Sequence, residues 1–228
     1  MRKELKIPTL ESITLEKFQI LSKYYELNGD NYASDQYMVS VLYGMPLKEV
    51  RAIKKTTLDT IIDEVKKTLS EEPQLVTRFT IDGIDYGFIP NLEEMSAGEY
   101  ADLEKYIGEV DNFHKALAVL YRPITKEFQK KYLIEEYRGT GERANIMLNT
   151  SLSVFRSAMV FFWNLEKELL NASMDFITKT TTELATSHRK GSTSKNGDGT
   201  LPSIELLEEY SRILKEQQRQ MFTKSSPI

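Results

Sequence analysis

Apolar side chains recur three and four positions apart through the first third of the chain, the spacing that lines one face of an α-helix. Leu15, Phe18, Leu21 and Tyr25 form one such stripe, with Thr14 in place to cap its start and Asn28-Gly29-Asp30 to stop it near Leu27. A second helix is predicted from about Ser34, carrying Tyr37, Met38, Val41 and Leu42 as far as Gly44. Pro46 suits the first turn of a short third helix through Val50 and Ile53. With Thr57 as its cap, a fourth puts Leu58, Ile61, Ile62, Val65 and Leu69 on a single face.

At Pro73 the period changes from helical to alternating. Leu75 to Ile81 is β-branched and aromatic, Asp82-Gly83 is a strong signal for a tight hairpin turn, and Ile84 to Ile89 returns as a second strand. Ser96 and Glu99 have the spacing of a capping box, in which each side chain satisfies the other residue's free backbone amide. The helix after it should bury Tyr100, Leu103, Tyr106 and Ile107. Phe113, Ala116, Leu117, Leu120 and Tyr121 mark another helix, which Pro123 must stop within a residue or so. Tyr132 to Tyr137 is expected as a third strand added to the hairpin, and Ala144 to Leu148 as a short helix.

The longest apolar stretch begins near Ser151 and is expected to continue as a helix past Ile177. Leu152, Phe155, Met159, Phe162, Leu165, Leu169 and Phe176 trace its stripe, widened by Val154, Phe161, Trp163 and Leu170. A helix apolar on most sides must be covered on most sides, by its own domain or by another chain. From His188 to Thr200 no side chain is apolar, which reads as a linker. Beyond it, Ile204, Leu207, Ile213 or Leu214, and Met221 form a thin stripe on a charged rod, suited to a docking arm. The expected organisation is a helical unit over residues 1–72, an α+β body over 73–187, a linker over 188–200 and a helical arm over 201–228. The fold class is α+β, predominantly helical, with a small antiparallel hairpin or three-stranded sheet and one long apolar helix.

Composition narrows the function classes. Over 228 residues, 30 Lys plus Arg stand against 34 Asp plus Glu, a formal charge of -4 with both signs interspersed, which gives no electrostatic case for nucleic acid or anionic membranes. The stretch from Leu152 to Leu165 contains Arg156 and is shorter than the roughly 20 residues a membrane crossing needs. The opening residues lack the apolar run of a signal peptide. With no cysteine, disulfides, thiolate catalysis and sulfur-ligated zinc do not arise.

Nothing in the chain spells out catalytic chemistry. There is no phosphate-binding loop, dinucleotide glycine fingerprint or His-Glu-x-x-His pattern, and no catalytic, cofactor or metal residue is expected. His114 lies on an amphipathic helix, where a satisfied structural histidine is the commoner case, and His188 lies in the linker. The acidic pairs Glu71-Glu72, Glu93-Glu94, Glu135-Glu136 and Glu208-Glu209 are neighbours whose side chains diverge on a helix, so a solvated surface is their ordinary reading. Protein binding has more candidates. Tyr121 and Arg122 beside Pro123 are residue types favoured at hot spots, although a core tyrosine and a capping arginine are the plainer reading. The Phe161-Phe162-Trp163 cluster would form an adhesive patch if exposed, although core is its plainer reading, with Trp163 the residue most readily left out, and Leu207, Leu214 and Met221 are the arm's contact residues.

Five segments together resemble small morphogenesis proteins of tailed bacteriophages, especially the tail assembly chaperones. They are Ser40-Val-Leu-Tyr-Gly44, the run from Phe79 to Leu92, Ser96-Ala-Gly-Glu-Tyr-Ala-Asp-Leu103, Ala118-Val-Leu-Tyr-Arg-Pro123 and the Phe-Phe-rich helix. The resemblance spans about residues 13 to 175. It implies a non-enzymatic role in the bacterial host cytoplasm, holding an aggregation-prone tape-measure client while tail-tube subunits are recruited. The partners implied are other phage structural or assembly proteins, with a homo-oligomer as a further state. The chain is longer than the simplest such chaperones and its apolar helix lies well inside the sequence. A structural virion component, a head, neck or tail subunit, therefore stands as the alternative.

Overall fold

The computed structural model describes residues 5–162 except 72, 73, 92, 93, 108 and 130, together with Asp175, Lys179 and Arg212. The chain divides into two compact units between Met159 and Val160, and the sheet with its flanking helices belongs to the first. This unit is α+β, with an antiparallel sheet of four strands in the order β1-β2-β3-β4.

Four helices open the unit: α1 (Leu15–Asn28), α2 (Tyr32–Tyr43), α3 (Leu47–Arg51) and α4 (Lys55–Ser70). Thr14 caps α1 as its position suggests, its Oγ1 accepting from the Lys17 amide at 3.3 Å. The second helix begins two residues before Ser34, because Asn31 Oδ1 accepts from the amides of both Ala33 and Ser34 and makes the better cap. Gly44 ends it in the left-handed conformation, φ +61°. Helix α4 likewise starts ahead of Thr57, at Lys55, with no side-chain cap. Its stripe is the core face expected: Leu58, Ile61, Ile62, Val65 and Leu69 are all buried. A buried network joins three helices, as the Tyr25 hydroxyl donates to Asp35 Oδ1 at 2.9 Å and Lys66 lies 3.0 Å from the same carboxylate.

After β1 (Arg78–Ile81) and β2 (Ile84–Phe88) come α5 (Ala97–Ile107), a 3-10 turn (Val110–Asn112) and α6 (Phe113–Leu120). Strands β3 (Tyr121–Phe128) and β4 (Lys131–Ile134) are next, then α7 (Arg143–Met147) and a helix, α8, described over 152–162. Two expectations need correction here. The sheet gains a strand at Tyr121–Phe128, where a proline was expected only to end a helix, and the strand expected at Tyr132 to Tyr137 is the fourth, ending at Ile134. Pro123 fits because its carbonyl accepts from the Glu135 amide beyond the end of β4, so its missing N–H points to where the ladder stops. Tyr100 is the other correction: it is 58% exposed, and Leu103 carries the buried side of α5.

The opening helices and the chain around residue 150 share one core. Leu15 donates to Thr150 and Leu152 to Ile13, Thr14 and Ser151 form a β-bridge, and the rings of Phe18 and Phe113 each pack on Phe155. Residues 1–72 and the start of α8 therefore lie within the same unit. Leu152 to Met159 are buried throughout, as an apolar segment requires. The continuation expected past Ile177, the linker at 188–200 and the arm at 201–228 lie outside the described residues. Among the described residues no helix is long and apolar enough to cross a membrane.

Candidate protein-interaction surface

Two arginines sit inside the unit, each with a partner distant in sequence. Ser96 and Glu99 form the capping box expected at the start of α5: the Ser96 amide donates to Glu99 Oε2 at 2.7 Å and the Glu99 amide to Ser96 Oγ at 3.2 Å. The other carboxylate oxygen of Glu99 receives Arg122 Nη2 at 2.6 Å, with both side chains only 7% exposed. Burial by itself raises the Glu99 pKa, but the Ser96 hydrogen bonds and the Arg122 charge outweigh it and hold the carboxyl below its ordinary 4.5. Arg156 reaches the other way, donating to the Leu69 carbonyl and so capping the last turn of α4.

Tyr121 and Arg122 are thereby corrected from partner anchors to core. Tyr121 is fully buried; its hydroxyl donates to the Val76 carbonyl at 2.7 Å, and its ring meets Phe79 and Phe88 edge-on at 5.0 and 5.1 Å. Arg122 is 6% exposed, and its guanidinium lies over the Tyr137 ring at 5.7 Å. Neither offers a surface. Phe161 is half-buried, while Trp163, Leu207, Leu214 and Met221 lie outside the described residues, as does His188. His114 is tied to Gln19, whose Nε2 lies 3.3 Å from Nδ1. Burial and the neighbouring Lys115 charge press its pKa down against the pull of Asp111. Among the described residues no group of three or more His, Asp and Glu converges to hold a metal ion.

The surface that sequence reading missed is on the second hairpin. Between Ile124 and Lys126 the β3–β4 register slips by a bulge, which bends β3. Gly87 pairs with Arg122 and Tyr132 with Glu127, five residues further along β3, yet the Tyr132 ring lies against Gly87. The second half of β3 and all of β4 therefore fold back across one face of the first hairpin. Tyr132 holds them there: its hydroxyl donates to the Phe88 carbonyl at 2.8 Å, and Arg78 stacks on its ring at 4.5 Å while pairing with Glu127 at 2.6 Å. A Cβ at position 87 would come within 2.3 Å of that ring, so only glycine fits.

With Tyr132 and Glu127 turned inward, strand alternation turns Lys126, Phe128, Lys131 and Leu133 outward. Phe128 is 58% and Leu133 52% exposed, and both lysines are exposed. Phe128 pairs with Lys131 and Leu133 with Lys126. The two apolar side chains occupy one diagonal, about 7–8 Å apart, and the lysines the other. The signal was in the chain, since Ile124 to Phe128 and Tyr132 to Ile134 are rich in β-branched and aromatic residues. Gln129-Lys130 between them is not turn chemistry, and Pro123 hid the strand's start.

Comparison with protein-family models, curated proteins and solved structures gives no match for this chain.

Proposed function

We propose that this chain is a non-enzymatic, protein-binding factor of tailed-phage morphogenesis, a tail assembly chaperone that holds a tape-measure-like client in the host cytoplasm. The protein-binding part rests on one observation: a hairpin pinned on its inner face presents Phe128 and Leu133 to solvent. A strand pair anchored through its inner face has less backbone freedom left to lose on binding, which favours association at its outer face. The buried charges have architectural work, Arg122 and Glu99 locking α5 to β3 and Arg156 capping α4. The tail-assembly part rests on the sequence resemblance over residues 13 to 175.

Co-expression tests it. With the tape-measure protein of the same phage, the client is expected to shift into the soluble fraction and to co-purify with the chain; a client that stays insoluble overturns the reading. A structural virion subunit is the second reading, favoured by the predominantly apolar stretch from Leu152 to Leu165. Mass spectrometry of purified particles separates the two, since a chaperone is absent from finished virions and a subunit is present in a symmetric copy number.

A further inference from the structure

We infer that the outer face of the β3–β4 hairpin is a docking surface for an acidic, apolar segment of a partner protein. The inference rests on the protein-binding reading above and specifies the chemistry of what binds.

The apolar half of the argument is the diagonal of Phe128 and Leu133, more than half exposed on a strand pair whose inner face is anchored by Tyr132. Two large side chains on one face offer a contact for the apolar stripe of an amphipathic segment. The electrostatic half is the other diagonal. Lys126 and Lys131 are exposed, and neither forms an ion pair with a described residue. Nearby carboxylates are engaged elsewhere: Glu127 with Arg78 at 2.6 Å, and Glu135 with Arg143 at 2.6 Å. Lys130, between the two in sequence, adds a third lysine to the local stretch. The hairpin is thus a locally basic site on a chain of formal charge -4, where carboxylates flanking an apolar stripe find complementary charge.

Lysines beside a phenylalanine also suit an anionic lipid surface. Two observations favour protein. The sequence between the two strands, Gln129-Lys130, holds no apolar side chain to lead into a bilayer, and the formal charge of -4 opposes approach to an extended anionic surface.

The test uses the full chain and two fluorescent synthetic peptides of roughly 20 residues, long enough to be helical unaided. Both carry the same leucine stripe, one flanked by glutamates and the other by lysines. Anisotropy titration is expected to show the acidic peptide binding on the order of tenfold more tightly, with the difference shrinking as salt is raised. Phe128→Ser with Leu133→Ser should abolish binding, and Lys126→Glu with Lys131→Glu should reverse the preference. All four positions are exposed, and an unchanged thermal melt verifies the fold of each variant. Equal binding of both peptides, lost in the serine variant, overturns the acidic preference while leaving the protein-binding reading intact. Failure of both peptides to bind, or binding that ignores both variants, overturns the docking surface. Binding to phosphatidylserine vesicles but to neither peptide overturns it in favour of a membrane. The client-solubility experiment is independent of all these outcomes, so the chaperone reading stands or falls separately.

Discussion

The two hairpins of the sheet are built on opposite terms. In the first, Asp82 and Gly83 both take positive φ, +51° and +77°, and their residue types tolerate it. Its aromatic residues go straight into the core, Tyr86 1% and Phe88 4% exposed. In the second, the turn forces Gln129 to φ +54°, the entering strand carries Pro123, and a bulge shifts the register. Distant contacts hold it: Tyr132 on Gly87 and Arg78 on Glu127. A hairpin stabilised by its own turn can commit its apolar face to the core. One stabilised through its inner face has an outer face to spare for a partner.

The largest expected effect lies where the hairpins meet, at Arg122. Glu99→Ala leaves a guanidinium buried without its counter-charge, a change that typically costs about 3–5 kcal/mol, and the loss of the cap on α5 adds to it. Denaturant unfolding measures it, and a cost under about 1 kcal/mol would mean the pair is ornamental. The same site carries a pH dependence. The folded Glu99 pKa is lower than the unfolded one, so its contribution is complete above the ordinary value of 4.5 and is lost as pH falls through the folded value. Melting curves of the wild type and Glu99→Gln should therefore converge as pH is lowered from about 6 to about 3.

Gly87→Ala drives a methyl into the Tyr132 ring, and overpacking of this kind costs about 1–3 kcal/mol. Hydrogen exchange should locate the damage unequally, with protection lost at 131–134 and retained at 84–88. Uniform loss would erase the distinction between the hairpins. Gln129→Gly should act in the opposite direction, stabilising by up to about 1 kcal/mol, because it removes left-handed strain from an L-residue. Asp82→Asn, at the turn already suited to its conformation, should change little. Smallest of all, Phe128→Ser with Leu133→Ser should alter the unfolding free energy by no more than about 0.5 kcal/mol per position, because both side chains are exposed.

Legibility follows the same divide. Caps at Thr14 and Ser96, the Asp82-Gly83 turn and the stripe of α4 could all be read from the chain, because each depends on residues within four positions of one another. The caps at Asn31 and Lys54 were misplaced by a turn or less, since several polar residues compete at those helix starts. The exposed face of the second hairpin was not legible. Tyr121 and Arg122 have the composition of a hot spot, and only their burial distinguishes a core pair from an anchor.

By itself, the sequence determined the helices, their amphipathic faces and the first hairpin, for those elements follow from periodicity and local hydrogen-bonding chemistry. Tertiary structure decided which charges met, that the second hairpin folds back over the first, and which face of it remains in solvent. Glu99 and Arg122 are 23 positions apart and Gly87 and Tyr132 are 45, and what joins them is packing and a charge attraction strengthened by burial, which no local pattern encodes.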